Sequence, residues 1–454
     1  MNSFLAKIRP VLLLASDIIL LYLGLFLTLF FRYGQGFNWQ IWHNHWPIFS
    51  GLFFLWLVIF YAFNLYEEAS GRNFFELFSN YWPALILNLL LSVVYFYLLS
   101  PSTNLTPKTI LAIFMVIFSC LFFLSRKLIT QLTGSDKLCQ NFIFIGYQPL
   151  INGLLLKPTS LQRAGLAPKG IINESPAALD CPLPVYQLSQ LEEIIKKEKI
   201  NLVVINETGN QAVTEALFKI LPLKVNFVSL TNFYEQLKQR VPLEIISRGW
   251  FLDNLTEGSK DLHEFVKRVV DIVLAALGGA ISLFLIPFIV LAIKIDSKGG
   301  AIFKQRRLGK DGKIFIALKF RTMYQNAEKT GPSWAKESDP RITRVGRFLR
   351  KIRLDEIPQL LNILKGDMSF VGPRPERPEF IDELTQAIPF YRERLLVKPG
   401  LTGWAQINFP YADSVESSLK KLQYDLYYIK HRTIILDLSI LLKTIRIIFK
   451  KLGR

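Results

Sequence analysis

Four apolar runs at the start of the chain, residues 11–31, 47–66, 81–99 and 110–125, carry one formal charge between them, Asp17. A helix needs about 20 apolar residues to cross ~30 Å of hydrocarbon, and only a helix or a closed barrel satisfies its own backbone there. The runs therefore predict four transmembrane helices. A cleaved leader fits poorly, because the first run is long, lacks a small-residue cleavage site and is followed by three more. Lys7 and Arg9 before the first run, and Arg126 and Lys127 after the fourth, put both ends of the bundle in the cytoplasm by the positive-inside rule. Arg72, between the second and third runs, has Glu67 and Glu68 beside it and says less.

From residue 141 the pattern changes. Short β-rich runs at 141–146, 170–172, 202–205 and 225–228 alternate with amphipathic stretches at 191–198 and 214–221, which predicts a small parallel, Rossmann-like α/β domain. Its first turn, Gly146-Tyr147-Gln148-Pro149, lacks the G-x-G-x-x-G that lets a backbone approach pyrophosphate. A structural or regulatory role is expected there in preference to nucleotide binding.

A fifth apolar run, 269–293, is long enough to span, yet Lys267 and Arg268 precede it and Lys294, Lys298 and Lys304 follow it. Cations on both flanks argue against a simple crossing. Pro287 removes an amide donor and predicts a kink, so that both ends return to the cytoplasmic face as a re-entrant membrane helix; a fifth full span is the alternative. Residues 434–451 mix Ile and Leu with Lys443, Arg446, Lys450 and Lys451 and read as a basic amphipathic helix on an anionic membrane, or else as a core helix with a solvated basic edge.

Of the net charge of +18, +15 falls from residue 294 onward, with 32 Lys and Arg against 17 Asp and Glu. Such a region meets anionic lipid, nucleic acid or a phosphorylated substrate. The cations are interleaved with carboxylates and no nucleic-acid module emerges, which argues against nucleic acid. Cys120, Cys139 and Cys181 have no C-x-x-C spacing and read as free thiols, and the four histidines form no zinc pattern. Asp17, Asn64 and Asn88 are too few polar groups for a transport pathway.

The chemistry is expected in residues 341–375, RITRVGRFLRKIRLDEIPQLLNILKGDMSFVGPRP. On a helix, Arg344, Arg347, Lys351 and Asp355 would share one side, and the cations would hold the carboxylate ionised. Pro358 suits the start of a new helix over 359–364, which Lys365-Gly366 would end. Asp355 and Glu356 then precede a helix N-terminus, and could divide the work of nucleophile and hard-cation ligand. In 314–321, strand alternation points Ile314, Ile316, Leu318 and Phe320 inward and sends Lys319 and Arg321 to the other face as a cationic pair. In Gly372-Pro373-Arg374-Pro375 the prolines restrict the backbone and present a guanidinium to phosphate.

These residues carry a resemblance. KQRRLGKDGK and LKFRTM within 296–323, then RLDEIPQLLNILKGDMSFVGPRP and KPGLTGWAQIN, closely resemble the bacterial sugar transferase family of polyprenyl-phosphate phosphoglycosyl transferases, over about residues 263–451. The whole layout is similar to the long members that act as undecaprenyl-phosphate glucose- or galactose-1-phosphate transferases and begin capsule, exopolysaccharide or O-antigen repeat units. The resemblance implies a bacterial inner-membrane enzyme with its catalytic domain on the cytoplasmic face. Asp355 would attack the sugar-bearing phosphate of a UDP-sugar, UMP would leave, and undecaprenyl phosphate would take the phosphosugar from the aspartate. It also implies Mg²⁺ on Glu356, and phosphate-binding or ordering roles for Lys319, Arg321, Arg350 and Arg374. Asp425 is expected near the site, and Thr402, Gly403 and Gln406 near the membrane surface, with Gln406 counted among the substrate-binding residues. A homodimer is the implied assembly. The chain departs from the family in having Ile286 before Pro287, where Ser is frequent, and no prolines at 298–300.

The expected organisation is four transmembrane helices in 1–130, a Rossmann-like domain in 138–250, a re-entrant helix in 262–296 and an α-rich catalytic domain with its amphipathic helix in 297–454. The alternative function is a non-catalytic membrane scaffold for polysaccharide assembly, which would not depend on Asp355.

Overall fold

The computed structural model describes residues 2–66, 74–103, 108–133, 140–156, 161, 164–173, 181–206, 210–255, 260–325, 327, 339–409 and 414–452. The chain forms two compact units, Met1–Leu237 and Lys238–Arg454.

The first unit opens with α1 (Asn2–Tyr33), α2 (Trp39–Ala62), α3 (Phe74–Thr103) and α4 (Lys108–Thr133), each long and apolar enough to cross a membrane. α2 starts earlier than the hydropathy suggests because Asn38 caps it, its side chain accepting from the Ile41 amide at 2.9 Å, so that Pro47 lies inside the helix. Aromatic rings fill the interior: Tyr81 stacks on Phe122 at 4.6 Å and Phe60 on Phe118 at 5.8 Å. Arg126, one of the two cations that follow the fourth apolar run, is 2% exposed and donates to the buried Asp17 at 2.7 Å, tying α4 to α1. An unpaired guanidinium is costly in an apolar bundle, and the pair lowers that cost. The positive-inside argument at that end therefore rests on Lys127.

Next come β1 (Gln140–Ile145), α5 (Pro149–Leu155), β2 (Leu166–Ile172), β3 (Val185–Tyr186), α6 (Leu191–Lys197), β4 (Leu202–Ile205), α7 (Gln211–Ile220), β5 (Asn226–Ser229) and α8 (Leu230–Lys238). All strand pairs are parallel, in the order β3-β2-β1-β4-β5 of a doubly wound sheet. Ile143 and Ile145 point to α6 and α7, while Phe142 and Phe144 pack on Phe233 of α8. Of the strands only β3 went unforeseen, since a two-residue strand has no period to read, and the helices α5 and α8 were not foreseen either. Cys120 and Cys181 are free thiols, and Cys139 lies outside the described residues.

The second unit comprises α9 (Arg248–Asn254), α10 (Asp261–Asp296), β6 (Ile302–Leu308), β7 (Ile314–Phe320), α11 (Arg344–Lys351), α12 (Gln359–Lys365), β8 (Ser369–Val371), α13 (Pro378–Ala387), β9 (Gly400–Thr402), α14 (Trp404–Asn408), α15 (Val415–His431) and α16 (Ile434–Leu452). It begins before the boundary expected at 250. Val241 is fully buried with Ile381 and Leu422, and Trp404 Nε1 donates to the Gln239 carbonyl at 2.9 Å. Those partners are distant in sequence, so no local pattern marks the segment as core.

α10 is one uninterrupted helix of 36 residues with Pro287 inside it. Near its start, Arg268 donates to the carbonyls of Ile363 and Leu364 at 2.6 and 2.7 Å, and Asp271 accepts from Ser369 Oγ and the Phe370 amide at 3.1 and 3.0 Å. Near its end, Ile289 and Ile293 pack with Phe320 and Leu349, and Asp296 accepts from the Val345 amide at 3.0 Å. The opposite face, with Leu277, Ile281, Leu283, Phe284, Phe288 and Leu291, is exposed and apolar. α16 buries Ile440 in the core and pairs Thr444 with Thr402 at 2.7 Å, while Ile434, Ile435 and Leu438 are exposed. It is thus packed on one face and bare and apolar on another.

Candidate active site

The β6–β7 hairpin forms one wall. Its register sets Phe303 opposite Lys319 and Arg307 opposite Phe315, so these four share a face. That face buries Phe315 and Ala317 against Ala275 and Ile363, whereas Ile314 and Ile316 are 51% and 44% exposed. The expected inward set is therefore reversed over most of β7. The run Ile-Phe-Ile-Ala-Leu is apolar at every position, so alternation alone does not choose its face. Arg321 lies beyond the strand and does not join Lys319 as a pair. Its Nη2 donates to the Ser297 carbonyl at 2.7 Å and Ser297 Oγ at 3.0 Å, closing the C-terminal end of α10.

The opposite wall carries the carboxylates. α11 ends at Lys351, and Arg353 takes the left-handed conformation with φ +62°. This reversal places Leu354–Glu356 on a separate 3₁₀ turn, so Asp355 does not continue the side of α11 that bears Arg344, Arg347 and Lys351, as a single helix would have required. Beyond the turn, α12 runs to Lys365 and Gly366, at φ +92°, terminates it as expected. Asn362 binds this helix to the hairpin, donating to the Ile316 carbonyl at 2.8 Å and accepting from the Leu318 amide at 3.1 Å.

Asp355 and Glu356 are 7% and 6% exposed. Arg374 Nη2 donates to Glu356 Oε1 at 2.9 Å, Arg353 Nη1 approaches both Glu356 oxygens at 3.2 and 3.3 Å, and Lys319 Nζ stands 3.7 Å away. Arg350 is fixed by Thr322, whose Oγ1 accepts from its Nε at 2.7 Å. Asp355 Oδ1 is buried with no hydrogen-bond partner among the described residues. Burial, and then the charge of Glu356, raise the Asp355 carboxyl above its ordinary range against the pull of Lys319, Arg350 and Arg374. At Glu356 burial acts the same way, but Arg374, Lys319 and Arg353 outweigh it and hold the carboxyl far below its usual range. Burial and the neighbouring Arg374 bring Lys319 down to about 8. Two adjacent carboxylates thus have different acidities, the one with the free oxygen being the more basic.

The segment bearing Arg374 is held by its own carbonyls. That of Pro373 accepts from the Gly400 amide at 2.9 Å, that of Arg374 from Arg394 Nη2 at 3.0 Å, that of Pro375 from Arg307 Nη1 at 2.9 Å and that of Glu376 from the Leu308 amide at 3.0 Å. Gly372, Gly400 and Gly403 cross so closely that a Cβ on any of them would meet backbone. Arg394, 3% exposed, also donates to Asp425 at 2.8 Å and Tyr391 at 3.0 Å. Asp425, expected near substrate, is 1% exposed and buried behind this segment. Gln406 donates to the Leu401 carbonyl at 3.2 Å and does not line the cavity.

Between the walls lies a cavity of ≈ 610 Å³ that brings Lys319, Arg321, Arg350, Arg374, Asp355 and Glu356 together. Arg307, Arg353 and Glu376 also line it, and none of them stood out in the sequence. Only Arg353 carried a local signal, three residues before Glu356 and able to reach it. An oxygen nucleophile facing clustered cations suits attack on phosphorus, since the cations neutralise the developing charge on its oxygens.

A model of the bacterial sugar transferase family matches residues 262–451. The UDP-N-acetylgalactosamine-undecaprenyl-phosphate N-acetylgalactosaminephosphotransferase of Aeromonas hydrophila is 44% identical over 194 residues, 42% of this chain and 45% of that protein. The putative undecaprenyl-phosphate N-acetylgalactosaminyl 1-phosphate transferase of Bacillus subtilis (strain 168) is 49% identical over 130 residues, 29% of this chain and 73% of that one. The UDP-glucose:undecaprenyl-phosphate glucose-1-phosphate transferase of Caulobacter vibrioides is 42% identical over 181 residues, 39% and 68% of the two chains. The aligned segment thus spans less than half of the first relative and about two thirds or more of the other two. The segment that the family model matches contains every residue of the cavity, and on that segment the chain belongs to the bacterial sugar transferase family.

Proposed function

We propose that this protein transfers a hexose- or N-acetylhexosamine-1-phosphate from a UDP-sugar to undecaprenyl phosphate. The observation that carries the reading is the buried Asp355–Glu356 pair facing Lys319, Arg350, Arg353 and Arg374 within the family's segment. In the first step an Asp355 oxygen bonds to the sugar-bearing phosphorus, the bond to the bridging oxygen breaks, and UMP leaves with that electron pair. In the second, a phosphate oxygen of undecaprenyl phosphate attacks the same phosphorus and the Asp355 carboxylate leaves. Arg374 and Lys319 orient the diphosphate, and the raised basicity of Asp355 favours its attack. The pair fits Mg²⁺, which takes one or two carboxylates plus substrate phosphates: Glu356 and the free oxygen of Asp355 would hold it. When bound, the ion would neutralise charge on the diphosphate.

α10 is best read as re-entrant. At 1.5 Å per residue its 36 residues extend about 54 Å, and both of its ends are held by the same domain. A crossing helix carries its ends to opposite faces of the bilayer, where one soluble domain does not hold both. The exposed apolar face then lies in the cytoplasmic leaflet, where the acceptor's headgroup resides. Protein in nanodiscs, given Mg²⁺, undecaprenyl phosphate and UDP-glucose, UDP-galactose or their N-acetylamino forms, is expected to release UMP in a lipid-dependent manner with at least one sugar. Folded protein that releases UMP from none of them would overturn the proposal and favour a scaffold.

A further inference from the structure

The cations around the dyad outnumber their counter-charges. Elsewhere in the cavity Arg341 has Asp339 at 2.6 Å and Arg377 has Glu379 at 3.6 Å, Arg307 shares Glu376, at 3.6 Å, with Arg394 and Lys421, and Arg321 donates to Ser297. At the dyad, Lys319, Arg350, Arg353 and Arg374 gather around Asp355 and Glu356, with Asp339 acting on Arg350 and Glu376 on Arg374 from farther away. A site so rich in cations suits a diphosphate diester, which carries two negative charges.

Of the three cations on Glu356, Arg353 has the most exposed side chain. Arg374 makes the short bond to Glu356, whereas Arg353 splits one Nη1 between the two Glu356 oxygens at 3.2 and 3.3 Å, with a third of its side chain exposed. Glu356 keeps Arg374 and Lys319 without it. Its backbone sits at φ +62°, a conformation that costs an L residue about 1 kcal/mol or more and that Gly adopts freely. The turn needs the left-handed conformation and does not need an arginine.

Resting on the UDP-sugar reading above, we propose that Arg353 is a substrate-binding cation, parked on Glu356 in the free protein, whose guanidinium passes to the diphosphate of an entering nucleotide-sugar. The left-handed residue directs the side chain into the cavity, and the loose contact with Glu356 lets it leave at little cost. This separates two properties that normally fall together on mutation. R353G should unfold at the wild-type temperature or slightly above it, because the backbone is relieved, while affinity for the diphosphate falls.

The test is calorimetric titration of full-length wild type, R353G, R353N and R353K in nanodiscs with UDP, with thermal unfolding run in parallel. Loss of one charge-assisted hydrogen bond predicts about a tenfold weaker UDP dissociation constant for R353G and R353N and partial recovery for R353K. R353G binding UDP as tightly as wild type would overturn the inference alone and leave Arg353 a turn residue. Wild type that binds no UDP would overturn it together with the reading on which it rests.

Discussion

Replacing Asp425 with alanine leaves the Arg394 guanidinium in the core of the second unit without its closest counter-charge. Removing one partner of a buried pair costs about 3–5 kcal/mol, because the remaining charge is stranded. Arg394 keeps Glu376 at 3.7 Å and the Tyr391 hydroxyl at 3.0 Å, so a value near the lower end, ~3 kcal/mol, is expected. At about 2–4 °C per kcal/mol, the unfolding transition of this unit should fall by roughly 6–12 °C. Below the transition, UMP release should also drop, because Arg394 fixes the Arg374 carbonyl and Arg374 in turn holds Glu356. Intrinsic fluorescence during heating and UMP release at a low fixed temperature measure the two effects, and Asp425→Asn, which keeps the shape and one acceptor, should be milder in both. An Asp425→Ala protein that unfolds at the wild-type temperature but has a raised KM for UDP-sugar would refute the reasoning and make Asp425 a substrate contact.

Other outcomes follow from the same geometry. Lys319, brought to about 8, is charged below that pH and neutral above it, so kcat/KM for UDP-sugar should decline between pH 7 and 9, and Lys319→Arg should flatten the decline. Glu376 is held at about 2 against an ordinary 4.5, because Lys421, Arg394 and Arg307 outweigh the effect of its burial. Its contribution of about 3 kcal/mol is complete above pH 4.5 and disappears as pH falls toward 2, so Glu376→Gln should lessen the acid sensitivity of the second unit in pH-dependent unfolding. Gly372→Ala would place a methyl group against the Lys398 carbonyl, disturbing the β8–β9 pairing, and activity should be lost more than in Gly279→Ala, where a Cβ meets nothing within 4 Å.

The layered plan was legible because each part writes its own periodicity: long uncharged runs for the helices of the first unit, short β-rich runs for the parallel sheet, and Pro358 and Gly366 bracketing α12. The dyad and Arg374 stood out through their unusual chemistry. What escaped was set by contacts distant in sequence. The face of β7 depended on Ala275 and Ile363, Arg321 turned to α10, and Arg126 was claimed by Asp17. The clearest case is Arg353, where a left-handed residue inside a run of good helix formers splits the expected helix and turns the dyad into the cavity.

The central claim is a covalent phosphosugar on Asp355, and intact-protein and peptide mass spectrometry test it most directly. Protein incubated with its UDP-sugar and Mg²⁺, without undecaprenyl phosphate, should gain the mass of one phosphosugar on the peptide containing Asp355, lose it when undecaprenyl phosphate is added, and show none in Asp355→Asn. Lipid-dependent UMP release with no adduct at any time, or an adduct retained in Asp355→Asn, would contradict it.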